Sequence, residues 1–96
     1  MKRIATFALF TLLAVAPAAQ ARLRVFACEP EWASLVAELA GDKVDVDVAT
    51  SALQDVHQIE ARPSLIAKLR RADLSVCTGA ELESGWLPQL VRQSGN

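Results

Sequence analysis

The stretch LRVFACEPEWASLVAELAGDKVDVDV, residues 23–48, decides the fold. Leu23 to Ala27 is a short apolar run flanked by charges, which suits a buried parallel strand. Glu29-Pro30-Glu31 then makes a helix start, because proline fits the first helical position and two acids suit the positive end of the helix dipole. Trp32, Leu35, Val36 and Leu39 follow at i, i+3, i+4 and i+7, and Gly41 closes the helix. Val44, Val46 and Val48 alternate with Asp45 and Asp47, which predicts an edge strand with one wet face. Strand, helix and strand in so short a span predict a right-handed parallel crossover.

The same alternation continues downstream. A loop from about Thr50 to Arg62 contains His57, the single histidine of the chain. Pro63 biases Arg62 away from helical dihedrals and opens a helix in which Leu65, Leu69 and Ala72 share a face. Leu74-Ser75-Val76-Cys77 predicts a third strand, closed by Thr78-Gly79. Trp86, Leu87, Leu90 and Val91 then share one side of a last helix, which Pro88 allows only if it begins near Gly85 or Trp86. The expectation is an α/β lobe, a three-layer parallel sheet in the order β-α-β-loop-α-β-α.

Upstream, Lys2 and Arg3 precede an apolar run from Ile4 to Ala16, and Pro17 leads to Ala19-Gln20-Ala21, a small-x-small cleavage pattern. Residues 1–21 therefore read as a cleaved signal peptide, and the run is too short to favour a membrane anchor. Val25-Phe26-Ala27-Cys28 loosely resembles a lipidation box, but it lies beyond two arginines rather than at the end of the apolar run. Residues 22–96 are the expected mature lobe. With Lys2 and Arg3 set aside, eight basic residues face eleven acidic ones, a net charge of −3. No basic stripe exists, so nucleic acid and anionic membrane surfaces are poor partners. The pattern reaches Ser94-Gly95-Asn96 where a further strand is due, and the expectation is an N-terminal piece of a longer protein.

Few residues carry chemistry by spacing alone. His57 has no second histidine and no HExxH or Cys-x-x-Cys pattern beside it, whereas zinc wants about four donors. Cys28 and Cys77 each end a predicted strand. A disulfide between them suits an oxidising compartment, but adjacent parallel strands seldom offer the geometry, so burial as small hydrophobic side chains is the favoured expectation. Asp55, Glu60, Glu81 and Glu83 read as solvated loop acids, with Asp55 or Glu60 as candidates to orient His57 through its other ring nitrogen. Thr78-Gly79-Ala80 is too weak for a phosphate loop, and Ser64 lacks a nucleophile-elbow context.

Taken together, Asp55-x-His57 leading into Arg62-Pro63-Ser64, and Arg71-Ala72-Asp73-Leu74 leading through Cys77-Thr78-Gly79-Ala80-Glu81-Leu82-Glu83, resemble the N-terminal lobe of the periplasmic binding proteins and lipoproteins that feed zinc or manganese ABC importers. In that family the loop reads like D-P-H-x-Y-E-P-x-P-S-D and its histidine is the first metal ligand. Val56 stands here for the usual proline, Ile59 for the aromatic and Leu65 for the acid after Pro-Ser.

The resemblance implies half of a two-lobed metal receptor with a long helical backbone, with metal held in the cleft between lobes. His57 is the metal ligand it carries onto this chain. Zn2+ is favoured over Mn2+ by the Arg-Pro-Ser form of the loop. It further implies a monomer in the periplasm that hands its metal to an ABC permease, and no enzymatic activity. The rival readings are a receptor of related architecture for an iron chelate or cobalamin, and a secreted thiol-redox or metalloenzyme domain.

Overall fold

The computed structural model describes residues 21–96. The expected signal segment, residues 1–21, lies outside them except for Ala21. No helix among the described residues is long and apolar enough to cross a membrane. Three strands, β1 (Leu23–Ala27), β2 (Val44–Val48) and β3 (Leu74–Val76), form a parallel sheet in the order β2-β1-β3. Helices α1 (Pro30–Ala40), α2 (Pro63–Arg71) and α3 (Leu87–Ser94) alternate with them, and a short 3-10 turn at Gly41–Lys43 leads into β2. The expected α/β lobe and its parallel sheet are present.

The most apolar strand takes the centre because it is covered on both faces. Phe26 is fully buried in a cluster with Leu65 and Leu69 of α2 and with Trp86 and Leu90 at α3. Its neighbours Val25 and Ala27 point to the opposite face, toward α1, and are equally buried. The alternating β2 lies at an edge, as its aspartates predict; Arg22 pairs with Asp45 at 2.9 Å there. Asp73 clamps the outer end of the β1–β3 pair by accepting the Arg24 N–H at 2.8 Å and donating its own to the Arg24 carbonyl at 2.8 Å.

Helix α1 departs from the expected packing. None of its residues is fully buried, Leu39 is 77% exposed and Leu35 45%. Pro30, Trp32, Ala33, Val36 and Ala40 are its half-buried positions. A helix laid along β1 and β2 buries a stripe narrower than its apolar face, so two leucines of that face remain outside. Helices α2 and α3 pack on each other as well as on the sheet. Asn96 secures that contact by donating from Nδ2 to the carbonyls of Leu69 at 2.7 Å and Ala72 at 2.8 Å, at the end of α2. Helix α3 begins after Trp86, which puts Pro88 in its first turn, as the proline requires.

Candidate functional site

The candidate site lies at the C-terminal edge of the three strands, where open α/β sheets place their ligands. Two structures meet there: the loop carrying His57, and the turns that leave β1 and β3.

The loop runs from Ala49 to Arg62 and is held at its start and in its middle. At its start, Ala49 donates to the Ala27 carbonyl at 2.8 Å and the buried Thr50 hydroxyl donates to the Cys28 carbonyl at 2.7 Å. In its middle, Val56 and Ile59 pack on the core cluster, and Trp86 Nε1 donates to the Val56 carbonyl at 2.7 Å. Gly85 lies under the next residue, where a Cβ would stand 2.8 Å from the His57 carbonyl oxygen. Valine and isoleucine at positions 56 and 59 thus anchor the loop by burial.

His57 itself faces solvent, with its side chain 65% exposed. Asp55 Oδ1 accepts the His57 backbone N–H at 3.0 Å and stands 2.8 Å from His57 Nδ1. The two hydrogen bonds from His57 hold the Asp55 carboxyl below the usual carboxylate range. In the tautomer that donates from Nδ1 to Asp55, Nε2 keeps its lone pair. Of the two acids that could orient the imidazole, the structure brings Asp55 to it; no hydrogen bond joins Glu60 to the ring among the described residues. No cluster of three metal-ligating residues among the described residues includes His57.

The second structure corrects two expectations. Cys28 and Cys77 are joined in a disulfide, with Cα atoms 4.9 Å apart, rather than packing as separate small hydrophobic residues. The register explains it: Ala27 pairs with Val76, so each cysteine follows the last paired position of its strand and the two leave the sheet side by side. Glu83, read as a solvated acid, is buried at 3% exposure. Its Oε1 accepts the Thr78 N–H at 2.8 Å and its Oε2 the Gly79 N–H at 3.0 Å. Glu81, by contrast, is exposed and sits at a positive φ of 67° in the same turn.

Glu29 joins this cluster, although nothing in its spacing marked it as more than a helix start. It is also 3% exposed, and its Oε2 accepts the Thr78 hydroxyl at 3.2 Å while Oε1 meets no donor. Burial, reinforced by the hydrogen bond and charge of Glu83, pushes Glu29 up to about 7. Burial works against the Glu83 charge too, yet the hydrogen bond from Glu29 and those from the backbone at Thr78 and Gly79 hold its carboxyl below the usual value. The two carboxyls thus shift in opposite directions, so a proton is held more readily by Glu29 than by Glu83. Both acids directly adjoin the ends of paired strands or their closing turns, a signal visible only once the pairing is known.

Between the two structures opens a cleft of about 170 Å³, lined by Glu29, Glu31, Thr50, Gln54, Val56 and Leu82, among others. A larger depression of about 320 Å³ lies at the opposite strand edge beside Arg22 and Asp42. Those two are already tied by a 2.8 Å hydrogen bond from Arg22 Nε to the Asp42 carbonyl.

The profile of the family described as zinc-uptake complex component A, periplasmic, matches residues 25–96. Curated relatives include the manganese ABC transporter substrate-binding lipoprotein PsaA of Streptococcus anginosus, 33% identical over 76 residues. The metal ABC transporter substrate-binding lipoprotein SsaB of Streptococcus sanguinis is 32% identical over 76 residues. The iron ABC transporter substrate-binding lipoprotein MtsA of Streptococcus pyogenes serotype M1 is also 32% identical over 76 residues. The aligned stretch is 76% of this chain in each case, but 25% of PsaA and SsaB and 24% of MtsA. The chain thus spans about a quarter of the length of these curated relatives.

Proposed function

The chain belongs to the family of periplasmic zinc-uptake complex component A, and on that premise we propose that it forms the first lobe of a solute-binding protein that captures a divalent metal for an ABC importer. His57 is the ligand this lobe contributes, through Nε2. The single observation that carries the reading is the 2.8 Å contact between His57 Nδ1 and Asp55 on an otherwise anchored loop. It orients an exposed imidazole and fixes the tautomer that a metal needs. Zn2+ is the proposed cargo, in line with the description of the matched family. Mn2+ is the alternative, and the names of the relatives point to manganese and iron.

In this reading the protein acts outside the cytoplasm, makes and breaks no covalent bond, works as a monomer, and passes its metal to a membrane permease. One imidazole does not hold zinc tightly. The remaining ligands are assigned to further segments of a longer protein in which residues 22–96 make up the first lobe.

The test is metal uptake by chelator-stripped longer protein, followed by competition with a chromophoric chelator in a series of Zn2+, Mn2+ and Fe2+. Tight binding of one Zn2+, weakened by His57→Ala on the order of 100-fold or more, supports the reading. An unchanged affinity in His57→Ala overturns the role of His57. Preference for Mn2+ or Fe2+ overturns the choice of zinc.

A further inference from the structure

The turns that leave β1 and β3 hold a second set of metal-binding chemistry, separate from His57. One ligand atom from each of Cys28, Cys77 and Glu83 lies within 4.8 Å of the other two. Donors on a tetrahedral zinc stand roughly 3.5–3.8 Å apart, given Zn–S near 2.3 Å and Zn–O near 2.0–2.2 Å. Once the bridge is open, the two sulfurs must part from bonding distance by roughly 1.7 Å to reach that spacing, with Glu83 already within 4.8 Å of both. While the cysteines are bridged, their sulfurs are neutral and poor ligands. We propose that the Cys28–Cys77 disulfide masks a second cation site, in which the two thiolates released by reduction and the Glu83 carboxylate hold a thiophilic divalent cation such as Zn2+ or Cd2+.

The surroundings suit this role. Glu83 is buried yet acts purely as an acceptor, oriented by two backbone N–H groups, so its carboxylate is set in place before any cation arrives. Two sulfurs and one oxygen match the preference of borderline-soft cations and leave a fourth position for water. Cys28 is fully buried whereas Cys77 is partly exposed, which gives reduction a direction.

A dithiol reductant supplies the two electrons. Its first thiolate attacks Cys77 Sγ, the S–S bond breaks, and Cys28 leaves as a thiolate that takes up a proton. The second thiol of the reductant then displaces Cys77 from the mixed disulfide. The reductant ends as a disulfide, and the protein has gained two electrons and two protons. Binding of the cation releases the two thiol protons to solvent.

Because His57 takes no part, this site stands or falls apart from the proposed function. The test titrates Cd2+ into the oxidised chain and into the chain reduced with excess dithiol and then freed of it under inert gas. The readout is the ultraviolet thiolate-to-metal charge-transfer band, with the near-ultraviolet dichroism of Trp32 and Trp86 reporting the fold.

The expected result is a band saturating at one equivalent in the reduced chain and in reduced His57→Ala, and none in the oxidised chain. Glu83→Gln should weaken the reduced site roughly 10- to 100-fold, whereas the exposed Glu81→Gln should leave it unchanged. No band in reduced folded protein overturns the proposal. So does a reduced chain that loses its fold and does not regain it with Cd2+. A band indifferent to Glu83→Gln overturns the donor set.

Discussion

Trp86 Nε1 donates a 2.7 Å hydrogen bond to the carbonyl of Val56, thirty residues away in the sequence. The indole is buried at 1% exposure, and through this bond the start of α3 fixes the backbone immediately before His57. The loop is thus anchored to the core beside Val56, while His57 and Asp55 reach solvent along with neighbours such as Leu53 and Gln54.

Trp86→Phe keeps most of the buried ring but leaves the Val56 carbonyl without its donor. It should cost about 1–3 kcal/mol, whereas Trp86→Ala, which also opens a cavity, should cost about 3–5 kcal/mol. Urea denaturation measures both. Limited proteolysis should cut Trp86→Phe faster within residues 51–60. Equal stability and equal cleavage in Trp86→Phe would show that the bond does not hold the loop.

Asp55→Ala removes the acceptor from His57 Nδ1 at a position where both side chains are largely exposed. Stability should change little, while metal affinity of the longer protein should fall about 10- to 100-fold. Asp55→Asn keeps an oxygen acceptor and should lose less. Chelator competition distinguishes the three proteins, and wild-type affinity in Asp55→Ala would remove the orienting role.

The Glu29–Glu83 pair links stability to pH. Glu29 is raised from an ordinary value of 4.5 to about 7, so the folded chain holds its proton more tightly than the unfolded chain. That contribution is complete below about pH 4.5 and is lost as pH rises through 7, a loss on the order of 2 kcal/mol for a group so buried. Glu83 is lowered instead, and its contribution is lost only in more acidic solution, outside that window. Glu29→Gln should flatten the stability profile between pH 4.5 and 7 and raise stability at pH 8. A profile as steep as the wild type in Glu29→Gln would assign the slope to another group.

The disulfide closes a loop of 49 residues in a small sheet. In the chain-entropy account its removal by Cys28→Ser with Cys77→Ser should cost roughly 4 kcal/mol, less whatever structure the unfolded chain retains. Thermal unfolding of oxidised protein and double variant measures it. Indistinguishable midpoints would mean that the bridge contributes no net stability.

Much of this architecture was legible in the residue pattern because local rules agree with one another here. Glu29-Pro30-Glu31 and Arg62-Pro63-Ser64 both open helices where they predict them, and the Val-Asp alternation of residues 44–48 forms the edge strand. Leu35 and Leu39 share the apolar periodicity of α1 but not its burial, since periodicity names a face and only packing decides how wide a stripe is covered. His57 was singled out by its motif, and its contact with Asp55 was foreseeable from the place of that acid two residues before it.

The amino-acid sequence by itself determined the order of elements, the parallel sheet and the loop that presents His57, because helix starts, strand alternation and proline positions act over a few residues. It pointed to β2 as an edge strand and to β1 and β3 as neighbours, but it did not fix their register or the central place of β1. That follows from how the helices cover both faces of β1, and the strand order β2-β1-β3 has two consequences. It sets Cys28 beside Cys77, forty-nine residues apart, and it brings Glu29 and Glu83 into one buried pair. Contacts at such separation depend on register across the sheet, and register is a property of the folded chain.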